Sequence, residues 1–134
     1  MTTTADNVES IILSLNPVGG GIDRISTKLI LSTYKSCLQH LTHFFNLCLQ
    51  TATFPERLKL ALVVPIFKSG NKDSFNNYRP ISLLPIFSKI LEKIIYSYIA
   101  TYLEQNNILH HCQYGFRKKK QHVYAISSFG GRNH

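Results

Sequence analysis

The sequence predicts an α+β chain, mainly helical, with one small antiparallel β-hairpin. Three observations predict it. Apolar residues recur at three- and four-residue steps in three stretches: Val8 to Leu15, about Ser26 to Leu49, and beyond Pro85. Between the second and third, β-branched and aromatic residues cluster in LALVVPIF (60–67) and again in ISLL (81–84). A loop rich in Ser, Gly and Asn separates those two runs, as the long tip of a hairpin would.

Size and charge bound the reading further. The 134 residues are one domain's length, and a hydrophobic fraction of 44% is that of a globular chain. Fifteen Lys and Arg against seven Asp and Glu give a formal charge of +8. The surplus favours polyanions, most often nucleic acid or an anionic membrane surface, although an ordinary basic protein has the same balance. Without the run Arg117–Lys120 eleven basic residues still face seven acidic ones, so the excess is not confined to a tail. Cys37, Cys48 and Cys112 form no Cys-x-x-Cys pair, which argues against a zinc site, and their odd number fits reduced thiols. No signal-peptide pattern opens the chain and no apolar run approaches a membrane span, so the expectation is an intracellular protein, nuclear or cytoplasmic.

Taken in order, residues 1–7 are polar and are expected to be loose. Val8, Ile11, Ile12 and Leu15 give the first helix its face, and Asn16-Pro17 ends it. Gly19, Gly20 and Gly21 then read as a flexible hinge between two helices. A phosphate-cradling loop would need a preceding strand and a following Lys-Ser/Thr, and has neither. The long second helix carries Leu29, Ile30, Tyr34, Cys37, Leu38, Leu41, Phe44, Phe45 and Cys48 on its apolar face. His40 and His43 lie three apart, but a polar flank explains them better than a metal pair without a third ligand. Pro55 closes the segment, because proline disfavours helix at the residue before it.

Pro65 demotes the first strand to an edge or a bulge. The hairpin tip carries Lys68 and Lys72, with Arg79 at its base. Pro85 suits the first turn of the third long helix. That helix presents Phe87, Ile90, Leu91, Ile94, Ile95, Tyr98 and Tyr102 and is expected to frame the inner side of the hairpin. Its charges form no alternating pairs, so packing must hold it. Gln105, Asn106 and Asn107 end it, and Ile108 and Leu109 are expected to tuck back onto the core.

The words FPERLK, PIFKSG, NNYRPISLLP, FSKILEKII and QYGFR, in that order, resemble the fingers region of reverse transcriptases of non-LTR retrotransposons of the jockey/LINE type. The resemblance covers most of the chain. Upstream, Gly21, Asp23 and Ile25 keep the family's Gly-x-Asp-x-Ile pattern. It implies an organisation of N-terminal helix and Gly-rich turn (1–21), fingers with an incomplete palm (22–117), and a basic, divergent tail (118–134). It also implies that Lys68 and Arg79 hold the incoming nucleoside triphosphate. Spacing alone leaves those two as ordinary charges on a solvated loop. Lys72, Gln113, Tyr114, Gly115, Arg117 and Lys118 are the implied contacts to template or other nucleic acid, the cations by the phosphate backbone, while Tyr114 and Phe116 either stack on bases or pack inside, Phe116 reading as core.

The family's metal-binding aspartates have no matching word here: Asp6, Asp23 and Asp73 stand in unrelated contexts. No catalytic or metal-ligating residue is therefore assigned, and Mg2+ is expected only in a complete parent enzyme. RNA, DNA and the remainder of a polymerase are the expected partners, with no membrane. The leading expectation is a truncated reverse transcriptase domain, inactive alone. Two alternatives stand beside it, a non-catalytic nucleic-acid-binding module and a nonfunctional remnant. Residues 118–134 depart from the family and are expected to be unrelated to the parent, as after a lost reading frame.

Overall fold

A computed structural model describes residues 1–17 and 19–109 of the chain. It is an α+β arrangement with one two-stranded antiparallel sheet. The chain divides into two compact units, Met1–Tyr96 and Ser97–His134.

Helix α1 spans Ala5–Leu13. The Thr4 hydroxyl caps it by accepting from the Asn7 N–H at 3.3 Å, and Asp6 complements the dipole in its first turn. Val8, Ile11 and Ile12 are its buried face. The residues before it are not loose, contrary to expectation. The Asn46 side chain accepts from the Thr3 N–H at 2.7 Å and donates to the Thr3 carbonyl at 3.0 Å. One amide thus satisfies both main-chain groups of a residue that is itself buried.

Helix α2 spans Thr27–Gln50, capped by Ser26, whose hydroxyl accepts from the Leu29 N–H. Ile30, Tyr34, Phe45 and Cys48 are buried as periodicity predicts, and Leu38, Leu41 and Phe44 pack around them. Leu29 is a correction: it is half exposed, one residue and about 100° off the face that Ile30 centres. Thr27 and Thr42 take core positions instead, because their hydroxyls find carbonyl acceptors, Asn16 at 3.1 Å and Leu38 at 2.8 Å. The Tyr34 hydroxyl donates to Glu9 at 3.0 Å and ties α2 to α1; burial, and then Glu9, raise its pKa above the ordinary value. Burial likewise pushes the Cys48 thiol up. His40 and His43 are exposed, as a polar flank requires.

The end of α2 is a Schellman-type stop. Ala52 takes a left-handed φ of 50°, and the Thr53 N–H reaches the Cys48 carbonyl at 3.0 Å. A single helical turn, α3 (Glu56–Lys59), follows Pro55. Periodicity does not reveal it, since four residues contain no repeat.

Strands β1 (Leu62–Phe67) and β2 (Tyr78–Leu83) pair with Val64 opposite Ile81, Pro65 opposite Pro80 and Phe67 opposite Tyr78. The second strand therefore begins three residues before ISLL. Beyond the ladder the Lys68 N–H donates to the Asn77 carbonyl at 2.7 Å. Counting back by alternation, Pro65 and Pro80 share a non-hydrogen-bonded position, where each main-chain nitrogen faces outward. Neither proline breaks the ladder, and each removes a donor from an outer edge that could otherwise recruit another strand.

Helix α4 spans Ile86–Gln105, and the Lys89 N–H bonds to the carbonyl of the buried Pro85. Ile90, Leu91 and Ile94 are buried as expected, with Ile86 and Ser88 beside them. Their company is a second correction. They join Val8, Ile11, Ile12, Ile30, Tyr34, Phe45 and Cys48 in one core, so α4 packs with α1 and α2 rather than framing the hairpin, whose strands are largely exposed on both faces. Three helical faces offer far more apolar area than a two-stranded ribbon, and burial follows area.

The glycine turn is the third correction. A Cβ on Gly21 would lie 2.8 Å from the Pro85 nitrogen and 2.9 Å from the Leu84 carbonyl carbon; on Gly20 it would run into the Arg24 carbonyl carbon. These glycines are needed for close backbone approach, not for freedom. In the second unit, Tyr98, Tyr102 and Ile108 are exposed rather than part of an apolar face or tucked onto the core. Among the described residues no helix is long and apolar enough to cross a membrane.

Candidate nucleic-acid interface

The hairpin carries the three described cations singled out from the sequence. Arg79 pairs with Ile66, and Lys68 follows two residues after Ile66, opposite Asn77. Side chains alternate along a strand, so Lys68 and Arg79 stand on one face as diagonal neighbours, at a spacing of about 7–8 Å. Both residues are exposed. The same face is floored by Leu62, Val64, Ile66, Ile81 and Leu83. Two cations at the open end of an apolar face could grip one polyphosphate, the guanidinium with two parallel hydrogen bonds.

Lys72 is held elsewhere. Its Nζ lies 5.9 Å from the centroid of the Phe67 ring. Phe67 and Tyr78 meet edge-to-face at 5.5 Å on the opposite face of the ribbon. The register thus separates Lys72 from the Lys68–Arg79 pair, although all three fall within twelve residues of sequence. Gln113, Tyr114, Gly115, Arg117 and Lys118 lie outside the described residues.

The loop between the strands is built rather than slack. Gly70 has a φ of +93°, and its missing side chain leaves room for Asn77. The Asn77 amide donates to the Asn71 carbonyl at 2.7 Å, and the Asp73 N–H donates to the Asn71 side chain at 3.0 Å. The Tyr78 hydroxyl closes the loop on the Lys72 carbonyl at 2.9 Å. A 3-10 turn, Phe75–Asn77, completes it. Phe75 heads that turn and is 94% exposed. Sequence reasoning passed over it, although a lone Phe between Ser and two Asn was the visible signal.

Elsewhere a groove of about 390 Å³ lies beside α4, lined by Leu15, Asn16, Thr27, Ile86, Lys89 and Lys93 among others. Lys93 is engaged there by Ser14, whose hydroxyl is 3.0 Å away. Among the described residues no three His, Cys, Asp or Glu side chains converge as a metal site would require.

No family model matches the chain. Curated relatives do. It is 30% identical over 120 residues to a probable RNA-directed DNA polymerase from transposon BS of Drosophila melanogaster, covering 89% of this chain and 13% of that protein. It is 32% identical over 110 residues to a probable RNA-directed DNA polymerase from the X-element transposon of the same species, covering 81% and 12%. It is 31% identical over 116 residues to the RNA-directed DNA polymerase from mobile element jockey of Drosophila funebris, covering 85% and 13%. The chain thus spans about one eighth of the length of these relatives.

Proposed function

We propose, from the premise that this chain belongs with the RNA-directed DNA polymerases of non-LTR retrotransposons, that it is their nucleotide- and template-gripping segment. The observation that carries the reading is the hairpin register, which sets Lys68 and Arg79 side by side on one face. Their charge is suited to the triphosphate of an incoming nucleotide, where cations neutralise the phosphate oxygens. Lys72, on the other face, is suited to the nucleic-acid backbone. Arg117 and Lys118 extend that role in sequence. The segment contributes binding rather than bond-making. Bond-making by two metal ions needs converging carboxylates, and the described aspartates Asp6, Asp23 and Asp73 do not converge.

The test is equilibrium binding of the 134-residue chain to a labelled nucleoside triphosphate and to a primer–template. Lys68→Ala with Arg79→Ala should weaken triphosphate binding at least tenfold, while Lys72→Ala should leave it within a factor of about two. Primer extension with Mg2+ should yield no product. Equal triphosphate affinity in the double variant and the parent refutes the assignment. A binding module without any link to polymerisation is the second reading, favoured by the +8 charge. It predicts primer–template affinity that falls steeply with salt and no preference for triphosphate.

A further inference from the structure

We propose that Phe75 is a stacking platform for one unpaired nucleobase, and that the hairpin loop is built to present it. This rests on the nucleic-acid reading above and names what the tip would hold. Phe75 is 94% exposed, far more than any other large apolar residue of the hairpin. A phenyl ring left in water normally turns back onto its own strand or packs on a neighbour. Here it does neither. The 3-10 turn, the Asn71–Asn77 bond and the Tyr78–Lys72 bond hold the loop from both sides, and Gly70 supplies the left-handed corner. The backbone that carries the ring is therefore held, so little loop ordering is left for a ligand to induce.

The surroundings select the partner. Protein-docking hot spots are ringed by further apolar contacts that exclude water. Phe75 instead stands among Ser69, Asn71, Asp73, Ser74 and Asn76, all polar. The loop and the strand ends beside it carry Lys68, Lys72 and Arg79 against the single acid Asp73. An exposed ring in a polar loop that also carries a cation is the composition that binds single strands: the ring takes a base face and Lys72 takes a flanking phosphate. Lys68 and Arg79, the pair assigned to the triphosphate, lie on one face of the ribbon and Lys72 on the other.

The chain contains no Trp, so Phe75→Trp introduces a single Trp at the tip, whose emission is read by excitation beyond the tyrosine band. Binding is measured with a short single-stranded oligonucleotide, and with the duplex of the same sequence, across a salt series. The expected result is a loss of about tenfold in single-strand affinity for Phe75→Ala and Phe75→Leu, with the salt slope unchanged. Phe75→Trp should retain affinity, and its emission should be quenched by the single strand but not by the duplex. An abasic site placed opposite the ring should abolish the quenching. Salt-dependent binding that is the same in Phe75→Ala and the parent overturns the stacking role and leaves the binding function intact. Failure of the parent chain to bind any oligonucleotide overturns both. Self-association that Phe75→Ala removes, with oligonucleotide affinity unchanged, overturns the proposal in favour of a protein contact.

Discussion

Replacing Gly21 by alanine tests how the turn after α1 meets the start of α4. At an unstrained, open position this change stabilises a protein by about 0.4–1 kcal/mol, because the unfolded chain loses freedom. Gly21 has no left-handed φ to forbid it. Space does. The new Cβ would sit 2.8 Å from the Pro85 nitrogen, 2.9 Å from the Leu84 carbonyl carbon and 3.1 Å from the Leu84 oxygen. All three are backbone atoms, so no side-chain rotation relieves the contact. Pro85 and Ile86 are fully buried, and a shift there displaces the first turn of α4 from the core. Overpacking of this kind costs about 1–3 kcal/mol. For a chain of this length that lowers Tm by roughly 4–15 °C. Thermal and urea unfolding followed by circular dichroism would measure it. Gly19→Ala is the control, since its Cβ meets nothing within 4 Å and should be neutral or slightly stabilising. If Gly21→Ala unfolds at or above the temperature of the parent, or Gly19→Ala is equally destabilised, the close-approach argument is refuted.

Two further predictions concern α2. Ala52 occupies the left-handed position at the helix stop, with φ 50°, so Ala52→Gly should raise stability by about 0.5–1 kcal/mol in urea titrations. Tyr34 has a folded-state pKa raised above 10.0 by burial and by Glu9. The folded chain therefore holds this proton more tightly than the unfolded one. The stability it contributes is full below pH 10.0 and is lost as pH rises through the folded-state value. Unfolding titrations above pH 9 should show a steeper loss of stability for the parent than for Tyr34→Phe, and parallel curves would refute it.

Much of this fold is legible in local pattern. The three long helices follow from apolar spacing, because a helix repeats every 3.6 residues and its buried face must repeat with it. The hairpin follows from two β-branched runs around a polar loop, whereas Lys68 and Arg79 are singled out only through the family resemblance, since their spacing leaves them ordinary charges. The short α3 and the exposed Leu29 were missed for the same local reason: one turn carries no period, and one residue's offset moves a side chain off the face.

The sequence by itself determined which segments are helix and strand, the excess of positive charge, and the family. Only the tertiary structure decided what those segments touch. It set α4 against α1 and α2 instead of the hairpin, bound Thr3 to Asn46, turned a supposed glycine hinge into a tight backbone contact, and put Lys72 on the far face from Lys68 and Arg79. Each of these depends on atoms brought together through space. A residue's own neighbours set its dihedral preferences, but the competition for buried area and for hydrogen-bond partners is settled across the whole chain at once.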